Sequence, residues 1–144
     1  MTPPVVKTYV FDASALFHFV AADRLDSLGS LMPSDARSVT TRAVQEELLA
    51  KEAEVPLVPL ITSAGWLEQV PVDGLEDLWA LSTWVQRIGA DQHHRGEATV
   101  LAYAEGHSAI AIVDDKDARL MGSSAGLEVH GSLWLIVEAC RHRS

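Results

Sequence analysis

The chain has 144 residues, 48% of them apolar, which suits one domain with an ordinary buried core. Eleven Lys and Arg stand against twenty Asp and Glu, and the formal charge of -9 excludes a protein that holds nucleic acid by net charge alone. Cys140 is the single cysteine, so an intramolecular disulfide and a thiolate zinc cluster are excluded and a reducing cytosol fits. The opening MTPPVVKTYVF lacks a secretory signal core, and no apolar run is long enough to span a bilayer. A cytoplasmic protein with no membrane partner is the expectation.

Val5 to Phe11 reads as a strand and leads into a helix over Ala13 to Ala22 that carries Leu16, Phe17 and Val20, with Asp12 or Ser14 as its cap. Asp23 to Ser38 mixes Gly, Pro, Ser and Asp with leucines, giving a short helix and loops before a brief strand at Val39 and Thr40. Thr41 to about Glu54 favours helix, with Val44 and Leu48 on one stripe and Pro56 as the stop. Leu57 to Ala64 reads as a short helix and Trp66 to Val72 as a weakly alternating strand. Leu75 to Ile88 has helical spacing in Leu78, Trp79, Leu81, Val85 and Ile88, and Gly89 ends it. The polar ADQHHRG stretch, Ala90 to Gly96, reads as a loop before a helix from Glu97 to Glu105. Ala109 to Val113 is a strand, Asp115 or Asp117 opens a helix to about Gly122, Leu127 to His130 is the last strand, and Leu133 to Arg141 the terminal helix. Strands alternating with helices predict an α/β fold with a central parallel sheet and helices on both faces, in one domain spanning 1–144.

The acids follow the same logic. The apolar run Ala109 to Val113 stops at two adjacent carboxylates, Asp114 and Asp115, and the first strand stops at Asp12. Ligands of doubly wound sheets sit outside the carboxyl ends of the strands, where all three fall. An Asp between a strand and a helix serves by default as an N-cap; their coincidence argues for more. Glu97 shares its helix stripe with Val100, Leu101 and Ala104, so its carboxylate is expected on the buried side rather than merely facing the helix dipole. Of Glu46 and Glu47, the second borders the Val44 and Leu48 stripe while the first groups with Arg42 and Ala50. At the doublet Asp115 ranks first, Asp114 second and Asp117 third.

Three or four converging carboxylates suit Mg²⁺ or Mn²⁺, hard cations that keep several waters and share the rest with substrate phosphate. One such ion, or two, would activate water and neutralise a scissile phosphate, and phosphodiester hydrolysis is the chemistry that follows. Arg42, Arg95, Lys116 and Arg119 offer a basic rim for an RNA backbone, although pairing with surface acids is their simpler role. His93 and His94 belong to a solvated loop or contact phosphate. Trp79 and Trp84 lie five apart on one helix and cannot share a narrow stripe, which leaves a dimer or partner surface open for one of them, although core packing is the simpler account of each tryptophan, Trp66 and Trp134 included. A haloacid dehalogenase-type phosphohydrolase wants a second Asp where Ser14 stands, and a receiver domain wants its acidic pair at the first strand.

The segments VFDASAL, TTRAVQEEL, RGEATVLAYAEG, IVDDKDARLMG and LEVHGSLWLIVEA resemble, in order, the successive motifs of a PIN domain. The GEA and DD segments most resemble the subgroup of VapC-like toxins from bacterial VapBC-type toxin and antitoxin pairs. The resemblance implies a Rossmann-like parallel sheet and a Mg²⁺- or Mn²⁺-dependent ribonuclease. By position it carries over Asp12, Glu47, Glu97 and Asp115 as catalytic acids, with Asp114 beside them and Asp12, Glu97, Asp114 and Asp115 on the metal. Ser14 matches the small polar residue two after the first Asp, and Ser132 stands where many members have the Thr of a Gly-Thr pair. RNA as substrate, a protein antitoxin and a homodimer are the implied partners. The alternative is a PIN-fold binding module without catalysis.

Overall fold

The computed structural model describes residues 7–50, 61, 63–89 and 92–141. The element order is β1 (Thr8–Phe11), α1 (Ala13–Ala21), α2 (Leu25–Leu31), β2 (Arg37–Thr41), α3 (Arg42–Ala50), β3 (Glu68–Val70), α4 (Leu75–Ile88), α5 (Gln92–His107), β4 (Ile110–Ile112), α6 (Lys116–Ser124), β5 (Val129–His130) and α7 (Ser132–Arg141). The expected helix over Leu57 to Ala64, the continuation of α3 to Glu54 with its stop at Pro56, and the start of the first strand at Val5 lie largely outside the described residues.

Five strands form one parallel sheet in the order β3-β2-β1-β4-β5. Phe11 stands level with Thr40 on one side and Ile112 on the other, so β1 is central and its carboxyl end is flanked by those of β2 and β4. Tyr9, Val10 and Phe11 alternate between the two faces, yet all are buried, which requires that both faces be covered. Helix α5 packs over β1, β2 and β4 and against α3 and α4; α2 packs against α1 and α7. The α/β, PIN-like architecture expected from the sequence is the one observed.

Helix α5 departs from expectation. It begins at Gln92 rather than Glu97, so most of the ADQHHRG stretch is helical, and Gly96 lies inside the helix. Its middle is buried all round, with Ala98, Val100, Leu101, Ala102, Tyr103 and Ala104 in the core, beyond the single stripe of Glu97, Val100, Leu101 and Ala104 that the spacing predicts. The small residues account for the all-round burial, because Gly96 and the alanines let the sheet and α3 approach the backbone closely.

The stripe of α4 also differs. Trp84 is fully buried, donates from Nε1 to Glu105 Oε2 at 2.6 Å, and carries the Arg87 guanidinium 4.7 Å over its ring. Trp79 is 81% exposed beside exposed Leu75 and Leu78, so these residues leave the buried face to Ala80, Leu81, Trp84, Val85 and Ile88. The five-residue offset between the two tryptophans thus separates an anchor from a surface residue. Among the described residues no helix is long and apolar enough to cross a membrane.

Candidate active site

The first acid follows β1 directly. Asp12 is 3% exposed, and its backbone is tied to β4 by its N–H donating to Ile112 O at 3.0 Å. It occupies the N-cap position of α1 in an extended conformation, but its side chain makes no capping bond. Instead Ser14 Oγ donates to Asp12 Oδ2 at 3.1 Å, and the same oxygen accepts the Asp114 N–H at 3.4 Å. One hydroxyl therefore joins the ends of β1 and β4.

At the doublet the two carboxylates diverge. Asp115 Oδ1 accepts the Ala118 N–H at 2.9 Å and caps α6, the ordinary task of an Asp at a helix start. Asp114 turns toward the Ser14 side of the sheet. Its Oδ1 accepts the Ser132 N–H at 2.7 Å, and its Oδ2 accepts Ser132 Oγ at 2.5 Å and His18 Nδ1 at 2.6 Å. A carboxylate accepts only, so the imidazole carries its proton on Nδ1 here. Of the doublet, Asp115 thus caps α6 while the Asp114 carboxylate is held by Ser132 and His18.

A pair of threonines fixes the other wall. Thr99 Oγ1 donates to Gly96 O at 2.7 Å, which leaves the Thr41 hydroxyl to donate to Thr99 Oγ1 at 2.8 Å. This buried chain fastens α5 to the carboxyl end of β2 and brings Glu97, 4% exposed, to the same edge as Asp12. Glu97 falls in the second turn of α5, so its burial and not the helix dipole defines its setting. Glu47 is half-buried on α3 while Glu46 is exposed. A Cβ added to Gly96 would stand 2.5 Å from Glu47 Oε2, so the absent side chain is what lets the Glu47 carboxylate lie against the backbone next to Glu97.

Burial pushes the Asp114 carboxyl up, but the bonds from Ser132 Oγ, Ser132 N–H and His18 outweigh it and hold the group below its ordinary value of 3.8. A depressed native value stabilises the fold fully above the unfolded value, and that stability is lost as pH falls through the native one. Removing the strongest of these donors should flatten the acid limb. We expect urea-unfolding free energies of Ser132→Ala to fall less steeply than those of the unchanged chain between about pH 5 and pH 2. Parallel limbs would show that Ser132 does not hold the carboxylate.

Two buried acids at one sheet edge need compensation, and the donor set there is made of oxygens. Among the described residues no three His, Cys, Asp or Glu side chains stand close enough together to hold a metal ion. That excludes a ready-made cage of the structural zinc kind among those residues. His94 is half-buried on α5, and the side chain of His93 lies outside the described residues. Sequence reasoning missed His18. Its signal was the four-residue spacing from Ser14, which puts both on one face of α1.

The chain belongs to the PIN domain family, whose members are generally nucleases that use divalent metals. The matching family model, described as DUF3368, a PIN domain, spans residues 8–144. The chain is similar to the crystal structure of PAE2754 from Pyrobaculum aerophilum, with a TM-score of 0.64, 15% identity, and coverage of 94% of this chain and 90% of that one. At that identity the likeness shows the fold alone. No curated protein matches the sequence.

Proposed function

We propose that this chain is a metal-dependent endoribonuclease whose site is formed by Asp12, Glu47, Glu97 and Asp114. The observation that carries the reading is the burial of Asp12 and Glu97 at the carboxyl edge of the sheet, with Asp114 joined to Asp12 through Ser14. Asp12 and Glu97 would supply carboxylates to Mg²⁺ or Mn²⁺, with Asp114 acting on the ion through its waters, and the ion when bound supplies an activated water and offsets charge on the scissile phosphate and leaving oxygen. Ser14 aligns the first and last of these acids. Ser132 and His18 keep Asp114 ionised and oriented, and Glu47 brings a further carboxylate against Gly96, beside Glu97. Asp115, engaged with Ala118 N–H, is assigned the capping role and left out of the ligand set.

The finer placement is a cytoplasmic toxin of a type II pair, acting on RNA and silenced by a protein antitoxin. It is supported by the likeness of the GEA and DD segments to VapC-like toxins. Exposed Trp79 and Leu75 on α4, and Leu133 and Val137 on α7, supply apolar surface for an antitoxin or for a second copy in a homodimer. The test of the activity is direct. Purified protein should cut single-stranded RNA with Mg²⁺ or Mn²⁺ and stop when EDTA is added; RNA left whole with either metal would refute the nuclease.

A further inference from the structure

The basic side of this edge contains one arginine whose surroundings differ from those of an ordinary surface cation. Arg119 lies on α6, partly exposed, and its Nη1 donates to Val113 O at 3.1 Å. Val113 is the residue immediately before Asp114, so the guanidinium is tethered one peptide away from the candidate acid. A Cβ on Gly131 would meet Asp114 Oδ1 at 3.0 Å and Arg119 Nη1 at 3.3 Å. The side-chain-free backbone at Gly131 is what leaves room for both groups beside one point.

Twenty acids surround eleven Lys and Arg in this chain, so an arginine facing this edge would ordinarily be neutralised. Among the described residues Arg119 makes no ion pair, and its bond to Val113 O uses one of five N–H donors. Arg37, by contrast, is held by Glu68 through two bonds at 2.8 and 2.7 Å. A guanidinium with an unused planar fork, fixed next to a carboxylate cluster, matches the two outer oxygens of a phosphodiester.

We propose that Arg119 anchors an RNA phosphate beside Asp114, acting as a binding and positioning residue for the strand that the carboxylates cleave; this rests on the ribonuclease reading. The phosphate is favoured over a protein carboxylate because the neighbouring acids would repel a second carboxylate and suit an ion-bridged phosphodiester. Gly131 provides the space and Val113 the tether. Arg42, Arg95 and Lys116, all exposed, add charge without a fixed geometry.

The test measures binding apart from cleavage. In the Asp12→Asn chain, expected to leave RNA intact, fluorescence anisotropy with a single-stranded RNA of about twelve nucleotides gives the affinity and its salt dependence. Adding Arg119→Gln should weaken binding about tenfold and lower the slope of log affinity against log salt by about 0.7, the loss of one phosphate contact. Arg119→Lys keeps the charge and a donor for Val113 O but loses the fork, so its slope should stay while its affinity falls about threefold. Unchanged affinity and slope in Arg119→Gln overturn the proposal. If Arg119→Gln melts early, Arg119→Lys with an unaltered melting temperature decides: wild-type affinity there overturns the anchor, and weakened affinity supports it. A wild-type chain that cleaves nothing while Arg119→Gln still weakens RNA binding would sink the nuclease and spare the anchor. Cleavage that survives Arg119→Gln with KM unchanged would do the reverse.

Discussion

Asp12→Asn is expected to lower metal-dependent RNA cleavage at least about 10³-fold, roughly 4 kcal/mol of transition-state stabilisation, while the fold is kept. An amide of the same shape still accepts the Ser14 hydroxyl, so the change removes charge and little else. It also relieves a buried acid at the edge it shares with Glu97 and Asp114, and such sites are held at a cost to stability. Chemical denaturation without metal should therefore show the variant more stable by about 1 kcal/mol. Retained cleavage would remove Asp12 from the site, and a less stable variant would contradict the account of a strained edge.

Trp84→Ala should produce the largest loss of stability. The indole is fully buried between α4 and α5, and truncation of such a side chain costs about 3–5 kcal/mol, a large share of the total for a domain of this size. It would further strip Glu105 Oε2 of its Nε1 donor and Arg87 of its aromatic support. Trp79→Ala, five residues earlier on the exposed side of the same helix, should change the unfolding free energy by less than about 0.5 kcal/mol. Similar urea midpoints for the two variants would refute the division of α4 into a buried and an open face.

Local pattern carried much of the fold. The apolar runs before Asp12 and Asp114 are the central strands, and the bounds of α4, Leu75 to Ile88, follow from spacing and the Gly89 stop. The start of α5 was hidden because its glycine reads as a helix breaker, whereas its function is to admit the Glu47 carboxylate from another helix. The same limit applies to the site. That Glu47 and Glu97 face inward was visible in helical phase. That Asp115 caps its helix while Asp114 turns to Ser132 and His18 was not, since those two partners lie 18 and 96 positions away. The Thr41 and Thr99 contact likewise spans 58 positions and leaves no periodic trace.

The pairing of β1 with β4, Phe11 level with Ile112, acts as an address for the acid that follows. Side chains along a strand change face with every residue, so a slip of one position in this pairing would bring Asp115 to the level that Asp114 now occupies. The doublet is thus a spare in one direction: a one-residue deletion before β4 that drew the strand back would put Asp115 where Asp114 now follows β4, whereas a one-residue insertion would put Val113 there, and in the first case the helix cap would have to come from elsewhere.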